Sequence, residues 1–277
     1  MKDNRPGCRE QNSRKPRDKV WTFALGSQLN LQLQMDSTLL LLVLSAGAAG
    51  AAGFGVLPLL RRQELPLPWL GWANALAAGM MLGAAYLLTT IRSNVSPVPA
   101  AVGAVLGAAF IIATHRVAGT ENLPLNRLHE SDPAYGYQIL LINGLHSASE
   151  GVAIGLAMVV EIELGIFMAV AIALHNIPEA TVLSAVLRSR GVSLSHAAGL
   201  SVAANVGQIL LALTTFSVIT AAPAALPAAL GFAVGTLVQL VLVELLPESY
   251  DQAGETSIAM VTVVALGVVV LAQGFIP

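Results

Sequence analysis

Eight apolar segments, each about the length a helix needs to cross the hydrocarbon core of a bilayer, follow one another along this chain. They run near 38–60, 68–91, 98–118, 134–160, 163–187, 194–219, 224–248 and 256–275. Backbone groups in hydrocarbon must satisfy one another, so runs of this length are read as helices. The composition agrees. Only 11% of the 277 residues are charged, against roughly a quarter in soluble domains, and the mean hydropathy is +0.72. The expected fold is an all-α membrane protein, an eight-transmembrane-helix bundle set in the lipid bilayer.

Arginine placement gives an orientation. If the first span starts outside, the inner loops hold Arg61, Arg62, Arg116, Arg127, Arg188 and Arg190, and the outer loops hold only Arg92. Both termini are then expected outside, in a plasma membrane or a bacterial inner membrane. Residues 1–34 fall outside this pattern. They carry seven of the fourteen basic residues and the single cysteine, Cys8, without the apolar core of a signal peptide. They read as a disordered basic tail or as upstream sequence joined to a chain that starts at Met35. Seven positive charges on a translocated end oppose the orientation rule and favour the second reading. The domain division is therefore 1–34 and an eight-helix transport domain over 35–277. A polar connection from His115 to Asp132 reads as a solvated linker in preference to a weak metal-holding loop near the inner exit, being poor in histidine for the latter.

Two spans carry the chemistry. His146-Ser-Ala-Ser-Glu150 lies in the fourth and His175-Asn-Ile-Pro-Glu179 in the fifth. Four residues are about one helical turn, so each pair projects from one helix face. Two such faces turned together supply two imidazoles and two carboxylates, the makings of a divalent-metal site. Ionisable groups at membrane depth are costly and mark an ion or substrate path. Neither span contains a lysine or arginine to neutralise the glutamates, so a metal or protons must serve.

The remaining polar residues divide more evenly. Pro178 removes a backbone donor beside Glu179 and is expected to bend the fifth helix. Asn143, Asn205 and Gln239 read as amides that hydrogen-bond between helices, and His196 as an interfacial hydrogen-bonding group. Glu244 and Glu248 stand one turn apart around Pro247 at the inner end of the seventh span. They read either as solvated end residues or as an exit relay. The small-residue pairs Gly103/Gly107 and Gly231/Gly235 suit close helix packing, although alanine-rich helices produce such spacings by chance.

Together, His146-Ser-Ala-Ser-Glu150-Gly151, His175-Asn-Ile-Pro-Glu179 and Glu244-Leu-Leu-Pro-Glu248, with Ala77-Ala78-Gly79-Met80-Met81-Leu82 in the second span, resemble the ZIP (Zrt/Irt-like protein) family of divalent-metal transporters. The resemblance covers about residues 36–277. It implies an elevator-like or rocking carrier with a metal path between the second, fourth, fifth and seventh helices. It also implies a main site of His146, Glu150, His175 and Glu179, with Met81 and Gln208 as outer candidates and Glu244 and Glu248 guiding release. Relatives with two adjoining metals carry Asn, Asp and Glu where this chain has Ser147, Asn176 and Gln208. Two carboxylates balance one dication, so one bound metal is expected.

The expected function is uptake of a divalent cation into the cytoplasm. Zinc suits imidazole and carboxylate ligands best; iron, manganese, cobalt or cadmium are tolerated. The metal is cargo, and no cofactor is expected. The chain has no GxxxxGK[ST] motif for ATP. No nucleic-acid partner is expected, and a homodimer is admitted. Two other classes compete: an intramembrane metal-dependent hydrolase, against which every pair here being HxxxE and not HExxH speaks, and a metal sensor that binds without flux.

Overall fold

The computed structural model describes residues 35–62, 64–90, 96–118 and 133–274. Every regular element among them is helical. Eight helices are long and apolar enough to span a membrane. They are α1 (Met35–Leu60), α2 (Leu67–Thr89), α3 (Pro97–Ala118), α4 (Pro133–Val160), α5 (Ile162–Ser189), α6 (Leu194–Ala221), α7 (Pro223–Ala253) and α8 (Glu255–Gln273). The eight spans of the sequence reading are thus all present. Residues 1–34 and most of the His115–Asp132 connection lie outside the described residues.

Sequence signals punctuate the helices. Proline opens α2 and the Ser193 hydroxyl caps α6 by accepting the His196 N–H at 3.4 Å. Gly191 and Gly254, at φ 80° and 78°, make the α5–α6 and α7–α8 corners in backbone conformations that side chains disfavour. Such tight corners lay consecutive helices antiparallel.

Three helices depart from the expected regular winding. α1 tightens into a 3₁₀ stretch over Ala52–Leu60. α6 breaks at Asn205, between Leu194–Ala204 and Val206–Ala221. α7 widens into a π turn over Val241–Leu245, where the Leu246 N–H donates to the Val241 carbonyl. Pro247 follows directly, and it cannot donate to the carbonyl of Val243, so the α-helical ladder is already incomplete there. α5, by contrast, continues through Pro178.

Two placements correct the sequence reading. α7 does not end near residue 248 but continues to Ala253, which puts Glu244 well inside the helix. α3 extends to Ala118, so His115 is a buried helical residue and not part of a solvated linker.

α2, α4 and α5 are the most enclosed helices, while α3 and α8 lie at the edge. Their apolar core gathers Ala78, Met81, Leu87, Ile154, Leu156, Met168, Leu237 and Leu240. Close packing comes from small residues, as expected where lipid tails are as apolar as leucine. The two pairs read as weak signals face one another: a Cβ on Gly103 or Gly107 would strike the carbonyls of Ala228 or Phe232, and one on Gly231 or Gly235 those of Ala100 or Ala104. Phe110 and Phe232 add a tilted aromatic contact at 5.6 Å across this α3–α7 seam. Gly79 meets α8 at Thr262, Gly55 meets α5 at Ala180, and Gly151 meets α6 at Gln208. These contacts sort the helices into two sets, α1/α4/α5/α6 and α2/α3/α7/α8. Each glycine with a close neighbour on another helix finds it within its own set.

Candidate metal centre

The midpoints of α4 and α5 bring both HxxxE pairs together, buried to 1–9% exposure. The His175 Nε2 lies 2.9 Å from Glu150 Oε1 on the neighbouring helix and 3.2 Å from Glu179 Oε2 one turn along its own. Nδ1 of the same ring is 3.0 Å from the Ala77 carbonyl of α2. A carbonyl only accepts, so Nδ1 carries the hydrogen, and Nε2 is the nitrogen turned to the two carboxylates. Oxygen and nitrogen lone pairs crowded like this require a hydrogen or a cation between them. Glu150 Oε2 is buried with no hydrogen-bond partner among the described residues. This leaves a ligand atom free at the same place.

His146 adjoins this group and reaches in two directions. Its Nδ1 is 3.5 Å from Glu179 Oε1 and its Nε2 is 2.8 Å from Glu244 Oε2. Glu244 is also paired with the Nε2 of His115 through its other oxygen. Two groups of potential ligands result, Glu150/His175/Glu179 and His115/His146/Glu244, each with its ligand atoms within 4.8 Å of one another. The π turn of α7 presents Glu244 to this cluster, so the reading of Glu244 as a solvated end residue does not hold. Glu248 stands apart from both groups, and its Oε1 accepts from the Gln252 side chain at 2.8 Å.

The outer candidates make other contacts. Met81 is 3% exposed in the apolar core among alanines and leucines. Gln208 is fully buried, and its Oε1 accepts from Asn176 Nδ2 at 3.1 Å, while Asn176 also donates to the Ala48 carbonyl at 2.9 Å. These amides tie α5 to α6 and α1.

Several polar residues turn out differently from their sequence reading. Asn143 does bond between helices, but its partner is the Glu179 carboxylate, 2.6 Å away. That fixes one carboxylate oxygen of the cluster. Asn205 bonds within α6 to the Ser201 carbonyl, and His196 bonds the exposed cap Ser193. His115 was read with the connection to Asp132 and not with the central pairs, because no second histidine or acid stands one turn from it on α3. Asn143 was discoverable: it stands three residues before His146, on the same helix face.

The fold and the buried ligand groups define a multi-pass integral membrane protein with histidine and carboxylate clusters at the heart of its helix bundle. Comparison with known proteins specifies it further. The profile of the ZIP zinc transporter family matches residues 123–273, and the chain belongs to that family. A protein of Arabidopsis thaliana named as a candidate zinc transporter is 31% identical over 224 residues, or 79% of this chain. The chain spans about a third of that relative's length, 36%.

Proposed function

We propose that this chain carries divalent metal, zinc foremost, from outside into the cytoplasm through a centre built on Glu150, His175, Glu179 and His146. One observation bears most of the weight: the His175 Nε2 lies within 3.2 Å of carboxylates from two helices. A dication satisfies all three ligands, whereas leaving such charges unneutralised at membrane depth is expensive. Imidazole nitrogen with carboxylate oxygen is a ligand mixture that zinc accepts readily. Membership of a zinc transporter family supports carriage over hydrolysis.

The inward direction rests on the arginine-rich loops. A cavity lined by Ile139, Asn143, His146, Glu179, Val182 and Val186 lies along the first half of α4 and the second half of α5. In that orientation it opens the centre toward the cytoplasmic side, which suits release. Transport is passive or coupled to an ion gradient, and both termini lie outside.

Purified protein in sealed liposomes with a zinc-sensitive dye inside provides the test. Zinc should enter loaded vesicles and not empty ones. Glu179→Ala and His146→Ala should each lower the rate roughly ten-fold or more at equal protein, the scale on which weakened metal coordination is felt. Near-normal flux in both variants would refute the centre. Binding without flux would make the protein a sensor.

A further inference from the structure

Asn74 has no part in the proposed metal centre, yet it stands in the first half of α2 at 2% exposure, and its Nδ2 makes no hydrogen bond among the described residues. A polar group buried in this way is costly unless something pairs with it. Asn74 lines the cavity beside His146 and Glu179, whose volume is about 40 Å³. Asn143 lines the same cavity from α4. Its Nδ2 donates to Glu179, but its Oδ1 is buried without a partner among the described residues. The rest of the wall is largely aliphatic, with Ile139, Ile142 and Leu183 among it. One cavity thus holds an unpaired donor and an unpaired acceptor from two helices. A water molecule satisfies both, and about 15 Å³ is enough to admit one. We infer that Asn74 and Asn143 hold an ordered water in this cavity, and that this water joins the shell of the cation as it leaves the centre.

The chemistry of leaving requires such a group. A cation departing from His146 and Glu179 meets an aliphatic wall, where a bare dication is untenable, so its water shell must begin to form at the edge of the centre. The amides supply that beginning. A water that accepts from Asn74 Nδ2 and donates to Asn143 Oδ1 keeps a second lone pair for the cation. Neither amide carries a charge, so neither retains the ion as a carboxylate would. Asn74 is thereby a positioning residue, acting on the cation through water and not as its ligand.

This inference rests on the transport reading, and its test keeps the two apart. Full-length protein in detergent is pulsed with X-rays, which turn bound water into hydroxyl radicals that oxidise the side chains beside it, and labelling is read by mass spectrometry. The buried Ile139, Ile142 and Leu183 should be labelled in the unaltered chain, and Asn74→Leu, which keeps the volume and removes the donor, should abolish most of that labelling. The same variant should leave zinc affinity unchanged by calorimetry yet lower liposome flux roughly ten-fold, the scale on which an outer partner of a metal site is felt. Asn74→Ser, which keeps a hydroxyl, should recover much of both; should Asn74→Leu fail to fold, Asn74→Val is read in its place. Absence of labelling in the unaltered chain, equal labelling in Asn74→Leu, or a higher melting temperature with unaltered flux, the mark of a donor buried dry, would each overturn the water site. Labelling lost with flux unchanged would overturn its part in release. Absence of flux from the unaltered chain with the labelling results intact would instead overturn transport alone.

Discussion

At the residue scale, what the sequence displays is pairs, and what it hides is their supports. His146, Glu150, His175 and Glu179 were legible because a turn of helix forces each pair onto one face, and because unneutralised acids in lipid need a reason. The Ala77 carbonyl that sets the His175 tautomer was not legible, since any backbone carbonyl carries the same label in a sequence. Met81 and Gln208, suggested by resemblance, have contacts the sequence did not display: apolar packing for one and an amide bond to Asn176 for the other. Asn143 offers a direct trial of support against ligation. Its 2.6 Å bond to Glu179 restrains a carboxylate that would otherwise rotate. Asn143→Ala should weaken zinc binding roughly ten-fold while leaving the folded yield unchanged, as outer partners of metal ligands generally do. Calorimetric titration returning the unaltered affinity would show the bond to be incidental.

Among the helices, length and apolarity located all eight, because crossing a bilayer leaves little freedom in either. Local winding was much harder to foresee. The π turn at Val241–Leu245 depends on Pro247 and on packing around Glu244, and hydropathy averages over both. Gly103/Gly107 and Gly231/Gly235 were weak signals singly, and they gain meaning only as mates on two helices far apart in sequence. Their contact is specific enough to test. Gly231→Val would drive a side chain into the Ala100 carbonyl, and overpacking of this kind costs about 1–3 kcal/mol. Thermal unfolding followed by size-exclusion chromatography should show a clear loss for Gly231→Val and little change for Gly47→Val, whose added Cβ meets nothing within 4 Å. Equal stability of the two would mean that the α3–α7 seam is looser than it stands here.

For the molecule as a whole, acidity should act on transport with one sign. Zinc and protons compete for the same carboxylate oxygens and imidazole nitrogens, and binding requires the deprotonated forms. Liposome flux at fixed free zinc should therefore fall as the pH on the entry side is lowered. A rise would give protons a driving part that competition does not supply. The allocation of the glycine contacts carries a mechanical consequence of its own. Inside each set of four helices, glycines let the neighbouring helix approach until its backbone or first side-chain carbons touch, which leaves little soft layer to shear. Between the sets, α2 meets α5 and α4 meets α7 through side chains, among them His146 and Glu244, and through the reach of His175 to Ala77. Such a body is two stiff plates joined by a compliant film. Strain applied anywhere on it gathers in the film, where the histidine and glutamate side chains meet.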